Sequence, residues 1–348
     1  VTNIAGSSFD DVWHERAQRI LIALDRALLD HKRGLFIARK GFFRRYEALW
    51  PYVNAWHATI ALAACGDPLT TRLQWFSRGL HAYEARANCS GKVAFHSRAG
   101  GRVHPAGEIF FDDNAWVALA LMRHHEIDND PNLVSLAEGV LSFLLTGWSG
   151  DASWAVPGGI RWRQSSASTT RNTCSNAPIA HAAAWLFQVT GAPRWLEWSR
   201  RIYRWTREAL LTKDGLYADH VHPTGTRDAS VWSYNQGSMI GAATYLYQVT
   251  GEWQYLEDAR SLRAAALSRF TLEQLMREVA AFPAIYFRNL VELDALDAEP
   301  AVWLALRRYA DALWQVRHLP DGLFSGASGS ILNDTAPVAE TFACLART

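Results

Sequence analysis

The amino-acid sequence predicts an all-α fold, six inner and six outer helices alternating in an (α/α)6 barrel, and three observations carry that prediction. Helical periodicity dominates the 348 residues, and no alternation of apolar and polar residues between turn signals is long enough to demand a sheet. A pair of helices, the first rich in small apolar residues and the second amphipathic, recurs about every 60 residues. The connections are asymmetric: the turn inside each pair is short, whereas the segment leading to the next pair is long.

Taken in order, helices are expected over residues 10–30, 52–65, 69–86, 113–127, 132–146, 174–190, 193–211, 234–250, 252–269, 282–296, 300–316 and 335–346. The small-residue helices end at Gly66-Asp67, Asp128-Asn129, Thr190-Gly191, Thr250-Gly251 and Asp297, turn and breaker residues. Their partners carry charge on one face, as in Arg194, Glu197, Arg200, Arg201 and Arg204, or Glu257, Arg260 and Arg263, and form the outer ring. Because chain direction alternates, the long segments 31–51, 87–111, 147–173, 212–233 and 317–334 and the starts of the inner helices all fall at one end. Long loops carry function, so this end is the expected mouth of a site.

Apolar residues make up 49% of the chain, enough for a large core, and no Pro/Gly/Ser-rich linker divides it, so residues 1–348 are expected to form one domain. Lys+Arg 35 against Asp+Glu 34 gives a net charge of +1, which argues against a dedicated nucleic-acid binder. The opening Val1 to Gly6 has no basic region followed by an apolar run, and no membrane-spanning apolar stretch occurs. By sequence the chain is expected to carry neither signal peptide nor transmembrane segment. Cys65, Cys89, Cys174 and Cys344 form no Cys-x-x-Cys pair, and Cys65, Cys174 and Cys344 are expected as buried reduced thiols. His220-x-His222 and His124-His125 offer nitrogen donors, but no third ligand follows at a sensible spacing; no metal and no cofactor are expected.

The stretch with chemical promise is Phe110-Phe111-Asp112-Asp113-Asn114-Ala115-Trp116. An apolar helix continues from it, so Asp112 or Asp113 is expected at the N-cap, beside unpaired backbone donors and the positive end of the helix dipole. Adjacent helical side chains diverge by about 100°, so two such acids can flank one bond at the roughly 5 to 5.5 Å of a retaining glycosidase. The plainer reading is a capping pair, and what counts against it is the company at the same end. Trp50, Trp56, Trp116, Trp148, Trp154, Trp162 and Trp232 fall in mouth loops or early helical turns, where they can offer flat faces to sugars. Trp75, Trp195, Trp198, Trp205, Trp303 and Trp314 belong to outer helices and are expected to pack. Three segments add amides and hydroxyls: Gly158 to Trp162, Asn172 to Pro178, and Tyr234-Asn235-Gln236-Gly237.

On these residues the chain resembles glycoside hydrolase family 76, the endo-α-1,6-mannanases. The likeness runs through Asp112 to Trp116, Gly158 to Trp162, Asn172 to Asn176, Gly215 to Asp219, and Tyr234 to Gly237 with Gly241-Ala242, about residues 50 to 260, and is weakest in the last third. It implies an α-1,6-mannan or mannose-containing glycolipid substrate, Asp112 as nucleophile, Asp113 as general acid/base, and retention of configuration. Trp116, Trp162, Asn176, Asp219, Tyr234, Asn235 and Gln236 are expected to bind substrate. Physical sense agrees: the dipole favours an ionised Asp112, while a neighbouring carboxylate and burial keep Asp113 protonated.

Three other readings are open. A transglycosylase could use the same pair; a sugar 2-epimerase of the N-acylglucosamine type would use His57 and His181 on inner helices; a non-catalytic carbohydrate-binding barrel would not need both acids. Finally, Lys32, Arg33, Arg39, Lys40, Arg44 and Arg45 occur with Leu35, Phe36, Ile37, Phe42 and Phe43 and no acid between 31 and 46. The 32–45 loop is either ordinary surface with aromatics tucked under the rim, or a peripheral contact with an anionic envelope surface such as a lipomannan anchor.

Overall fold

The structure, a computed structural model, describes residues 9–39, 45–85, 91–100, 105–165 and 169–346. In chain order the helices are α1 (Phe9–Leu28), α2 (Leu49–Ala63), α3 (Thr70–Leu80), α4 (Phe111–Asp128), α5 (Pro131–Leu144), α6 (Thr173–Thr190), α7 (Pro193–Leu210), α8 (Ser233–Thr250), α9 (Trp253–Arg269), α10 (Leu272–Arg277), α11 (Ala281–Asp294), α12 (Pro300–Val316) and α13 (Ile331–Leu345). Every expected helix is present. The short α10 is additional; a capping box between Thr271 and Gln274 starts it.

Helices α2, α4, α6, α8, α11 and α13 touch in a closed ring, each packed on its two neighbours, with α13 returning to α2. Helices α3, α5, α7, α9 and α12, with α1 against α13, pack around it. This is an (α/α)6 barrel. Composition decides which ring a helix joins. In α2 every residue but Trp50 is buried, and Ala, Thr and Asn let neighbouring backbones approach. In α7 only one face, with Trp195, Ser199, Ile202 and Trp205, is buried, and the arginines take the other. One hydrophobic core runs from Trp13 to Leu345.

The ends of the inner helices explain the short turns. Asn129, Gly191 and Gly251 adopt left-handed φ of 58°, 66° and 69° after α4, α6 and α8, which stops each helix and reverses the chain. Pro131, Pro193 and Pro300 then open the outer helices α5, α7 and α12.

The long segments at the other end contain two small antiparallel sheets. One joins β1 (Leu29–Asp30), β2 (Leu35–Arg39) and β3 (Arg45–Tyr46); the other joins β4 (Arg171–Asn172), β5 (His220–Val221) and β6 (Arg227–Asp228). In the first, Leu35 and Phe36 are buried while Lys32, Arg33 and Arg45 are exposed. Lys40, Phe42, Phe43 and Arg44 of that loop, and Cys89, lie outside the described residues. Among the described residues no helix is long and apolar enough to cross a membrane.

Candidate active site

A pocket of about 530 Å³ opens at the mouth, lined by Asp112, Asp113, Trp116, Trp162, Asp219 and Tyr234 together with Trp50, Phe110, Thr170, Asn172, Cys174, His220 and Phe282. The acids are not caps. Phe110 is the N-cap residue of α4 and makes no side-chain cap bond, so Asp112 and Asp113 occupy the first turn itself. The apolar residues around them explain the shift: Phe111 is buried and stacks on Phe143, which starts the helix one residue before the first acid.

Asp112 is held from several sides. The indole N–H of Trp162 donates to its Oδ2 at 3.0 Å, and the Cys174 thiol approaches the same oxygen at 3.6 Å. The backbone N–H of Asp113 donates to Oδ1 at 3.0 Å. Burial nonetheless raises this carboxyl to about 6, with those hydrogen bonds pulling the other way. Burial, and then the Asp112 charge, holds Asp113 well above the ordinary carboxylate range. No lysine or arginine lines the pocket to offset the pair. Burial and the Asp112 charge also push the Cys174 thiol up, so it remains a protonated donor.

Two aromatic walls flank the acids. On one side Tyr234 stacks on Phe282 with centroids 4.0 Å apart and planes at 20°, and Trp50 and Trp232 each lean on the same Phe282 at 5.9 Å. On the other, Phe110 packs against Trp162 at 5.0 Å. Such walls suit the apolar faces of sugar rings, while Asp219, Asn172 and Thr170 supply polar partners for hydroxyls. Asp219 bonds His220 Nδ1 at 2.7 Å and accepts from Asn235 Nδ2 at 3.3 Å.

Three expected substrate ligands are elsewhere. Asn235 is fully buried and supports Asp219 from behind. Asn176 and Gln236, also fully buried, spend their amides on the backbone. Asn176 accepts from Ile160 N–H at 2.7 Å and donates to the carbonyls of Ile160 and Asn172. Gln236 does the same with Tyr217 N–H at 2.7 Å and the carbonyls of Tyr217 and Trp232. Asn114 repeats the pattern on Phe95 and Phe110. All three occupy the fourth position of an inner helix, and each pins a mouth segment that also forms a β-bridge to the end of the preceding outer-helix unit: Glu84 to Phe95, Trp148 to Ile160, Leu211 to Tyr217. They are clamps, not sugar ligands. Thr335 plays a reduced version of the part, its hydroxyl accepting from Phe324 N–H at 3.1 Å.

Of the mouth tryptophans, Trp56 is buried and stacked on Phe76, and Trp148 packs edge-on against Trp198 and Trp205, so neither faces the pocket. Trp154 lies against the buried Arg171 guanidinium. Cys174 proves to be a pocket residue, whereas Cys344 is a core one. His57 and His181 lie deeper, among Arg123, Arg288, Glu292 and Glu340. Burial first, then Arg288 and Arg123, takes His181 down to about 3 and His57 well below its usual value. Neither histidine lines the pocket, so neither is placed to serve as an acid or base on a sugar bound there. Phe282 as the shared partner of Tyr234 and Trp50 escaped the sequence reading, because no motif links Phe282 in the last third to either.

A model of Glycosyl hydrolase family 76 matches residues 49–295. Mannan endo-1,6-alpha-mannosidase DCW1 of Saccharomyces cerevisiae is 30% identical over 155 residues, 40% of this chain and 34% of that protein. The chain thus spans about a third of the length of the curated relatives it matches. Among solved structures, glycoside hydrolase family 76 (mannosidase) Bt3792 from Bacteroides thetaiotaomicron has a TM-score of 0.83 at 20% identity, over 96% of this chain and 98% of that one. An inactive variant of the alpha-1,6-mannanase GH76A of a Salegentibacter species, two consecutive aspartates replaced by asparagine, in complex with alpha-1,6-mannotriose, has a TM-score of 0.79 at 21% identity, over 96% and 99%. These likenesses at low identity show the shared fold.

Proposed function

The chain belongs to glycosyl hydrolase family 76, and on that premise we propose that it is an endo-acting α-1,6-mannanase that works with retention through Asp112 and Asp113. One observation carries the proposal: two adjacent carboxyls share an aromatic pocket lined by no lysine or arginine, and only Asp112 accepts from Trp162 and Cys174, contacts that favour its charged form over that of Asp113. Asp112 attacks the anomeric carbon as the bond to the glycosidic oxygen breaks, and Asp113 gives its proton to that oxygen. In the second half Asp113 takes a proton from water, whose oxygen replaces Asp112 at carbon 1. The solved mannanase variant supports the assignment, since a relative lost activity with two consecutive aspartates.

Incubation with unbranched α-1,6-mannan tests the reading, with proton NMR of the first products. Internal cleavage with α-configured reducing ends is expected. Initial β products would overturn retention, and release of mannose alone would overturn endo action.

We further propose a cell-envelope lipoglycan with that backbone as a substrate and take residues 1–348 as one catalytic domain. The exposed Lys32, Arg33 and Arg45 support contact with an anionic anchor, while buried Leu35 and Phe36 are spent on the core. Equal rates on lipid-anchored and deacylated mannan at low salt would refute the contact.

A further inference from the structure

We propose that His220, His222 and Asp228 bind one divalent transition-metal ion of the zinc class on a hairpin at the pocket rim. The hairpin is β5 and β6, in which His220 pairs directly across from Asp228 and Val221 across from Arg227. Alternation along a strand places residues 220 and 222 on one face, and direct cross-strand partners share a face, so all three side chains emerge together. Sequence spacing could not show this, because the third donor arrives from the returning strand.

The two imidazoles already stand at ligand spacing. His220 Nε2 and His222 Nε2 are 3.2 Å apart, with rings at 71°. Two nitrogens bound at about 2.0 to 2.1 Å to a tetrahedral ion lie roughly 3.3 Å from each other. The opposite edge of His220 is also arranged as a metal-binding histidine requires: its Nδ1 lies 2.7 Å from Asp219 Oδ2. A carboxylate can only accept, so the ring proton is on Nδ1, and the Nε2 lone pair points at His222. A ligand oxygen of Asp228 lies within 4.8 Å of ligand atoms of both His220 and Asp219. Asp228 is exposed, its carboxylate accepting from Ser230 N–H at 2.8 Å and from the Ser230 side chain, and it reaches an ion held by the two histidines by turning from Ser230 toward them.

The hairpin backbone is fixed independently of any ion. The amide of His222 donates to Thr226 O at 2.8 Å. Its carbonyl accepts from the buried Arg171 at 3.4 Å, and the same guanidinium nitrogen donates to Val156 O at 2.9 Å. Two nitrogens and one carboxylate suit zinc, cobalt or nickel rather than calcium or magnesium. An ion there ties the hairpin to Asp219, and thus to the pocket wall, without entering the sugar chemistry of Asp112 and Asp113.

The test uses the full chain, stripped with EDTA and dialysed, titrated calorimetrically with zinc chloride and, in parallel, calcium chloride. One zinc per chain at micromolar affinity or tighter is expected, with no calcium binding and a Tm rise on the order of 4 °C at a hundredfold excess over Kd. Cobalt in place of zinc should give the visible absorption bands of a four-coordinate ion. His222→Ala and Asp228→Asn should each weaken zinc binding at least tenfold, and His81→Ala, at an exposed surface histidine, should not. Asp228→Asn changes only an exposed side chain and keeps the Ser230 bond available, so it serves if His222→Ala misfolds. No zinc binding by the wild type, or equal binding by wild type and Asp228→Asn, overturns the proposal.

Discussion

Two groups of charges withdrawn from water in the described barrel are handled in opposite ways. At the mouth, Asp112 and Asp113 sit side by side among aromatics with no cation lining the pocket. Deeper among the inner helices, Arg288 bonds Glu340 at 2.6 Å, and Arg123 bonds Glu292 at 3.1 Å and lies 3.7 Å from Glu340. Burial lowers the Arg123 guanidinium, but Glu292 and Glu340 outweigh it and leave it raised. The interior group is matched charge for charge and holds helices α4, α11 and α13 in register. The mouth group is left unmatched, which costs stability and, in the proposed mechanism, keeps one acid for attack and the other for proton donation. Burial of charge alone does not mark a site; burial of like charge does.

The sharpest way to break this comparison is to neutralise one member at each place. Asp112→Asn and Asp113→Asn should each lower kcat by about a thousandfold or more in steady-state assays. Both should raise Tm. The sign follows from proton linkage: a carboxyl whose native pKa lies above its unfolded value binds more protons when folded, so stability falls as pH rises between the two. For Asp112, at about 6 against 3.8, the stability withheld at neutral pH is at most about 3 kcal/mol. A fall in Tm would return the pair to a capping role. Glu340→Gln should do the reverse, costing about 3 to 5 kcal/mol while the folded fraction keeps its specific activity.

A smaller effect sharpens the mouth half. kcat/KM should rise with pH through about 6 as Asp112 ionises, and decline at higher pH as Asp113 loses its proton. Trp162→Phe removes the indole donor that opposes this shift, so the rising limb should move to higher pH with roughly a tenfold loss of kcat.

Gln236→Ala and Asn176→Ala probe the frame between the two places. Each leaves buried backbone groups unpaired, so denaturant melts should show about 1 to 3 kcal/mol of lost stability, with kcat/KM nearly unchanged in what remains folded. The smallest effect is expected from Phe282→Ala: a several-fold rise in KM at constant kcat, about 1 kcal/mol of stacking.

The helices and their assignment to rings were legible because inner and outer faces obey one period and differ plainly in composition. Of the expected site residues, Asp112, Asp113, Trp116 and Tyr234 from the first turns of inner helices and Trp162 and Asp219 from the mouth segments line one pocket, a grouping the helical period made legible. Asn176 and Gln236 misled: a polar residue near a mouth reads as a ligand, and nothing in the local sequence reveals that its amide faces Ile160 or Tyr217 backbone. The strands were invisible because pairs such as His220-Val221 are too short to alternate. The Tyr234–Phe282 stack joins elements with no common motif, so only the closed ring brings it into view.

The three amide clamps have an evolutionary consequence. The span from Trp148 to Ile160 is longer than that from Leu211 to Tyr217, yet both finish in the same bridge and the same three amide contacts. Because loop-closure entropy grows slowly with length, sequence can be inserted upstream of a clamp without shifting the helix start that follows it. The barrel can therefore acquire a different rim by grafting segments between the two residues of a bridge, such as Trp148 and Ile160. Asp112 and Asp113, two and one residues before the Asn114 clamp, keep their setting while the rim around them is exchanged.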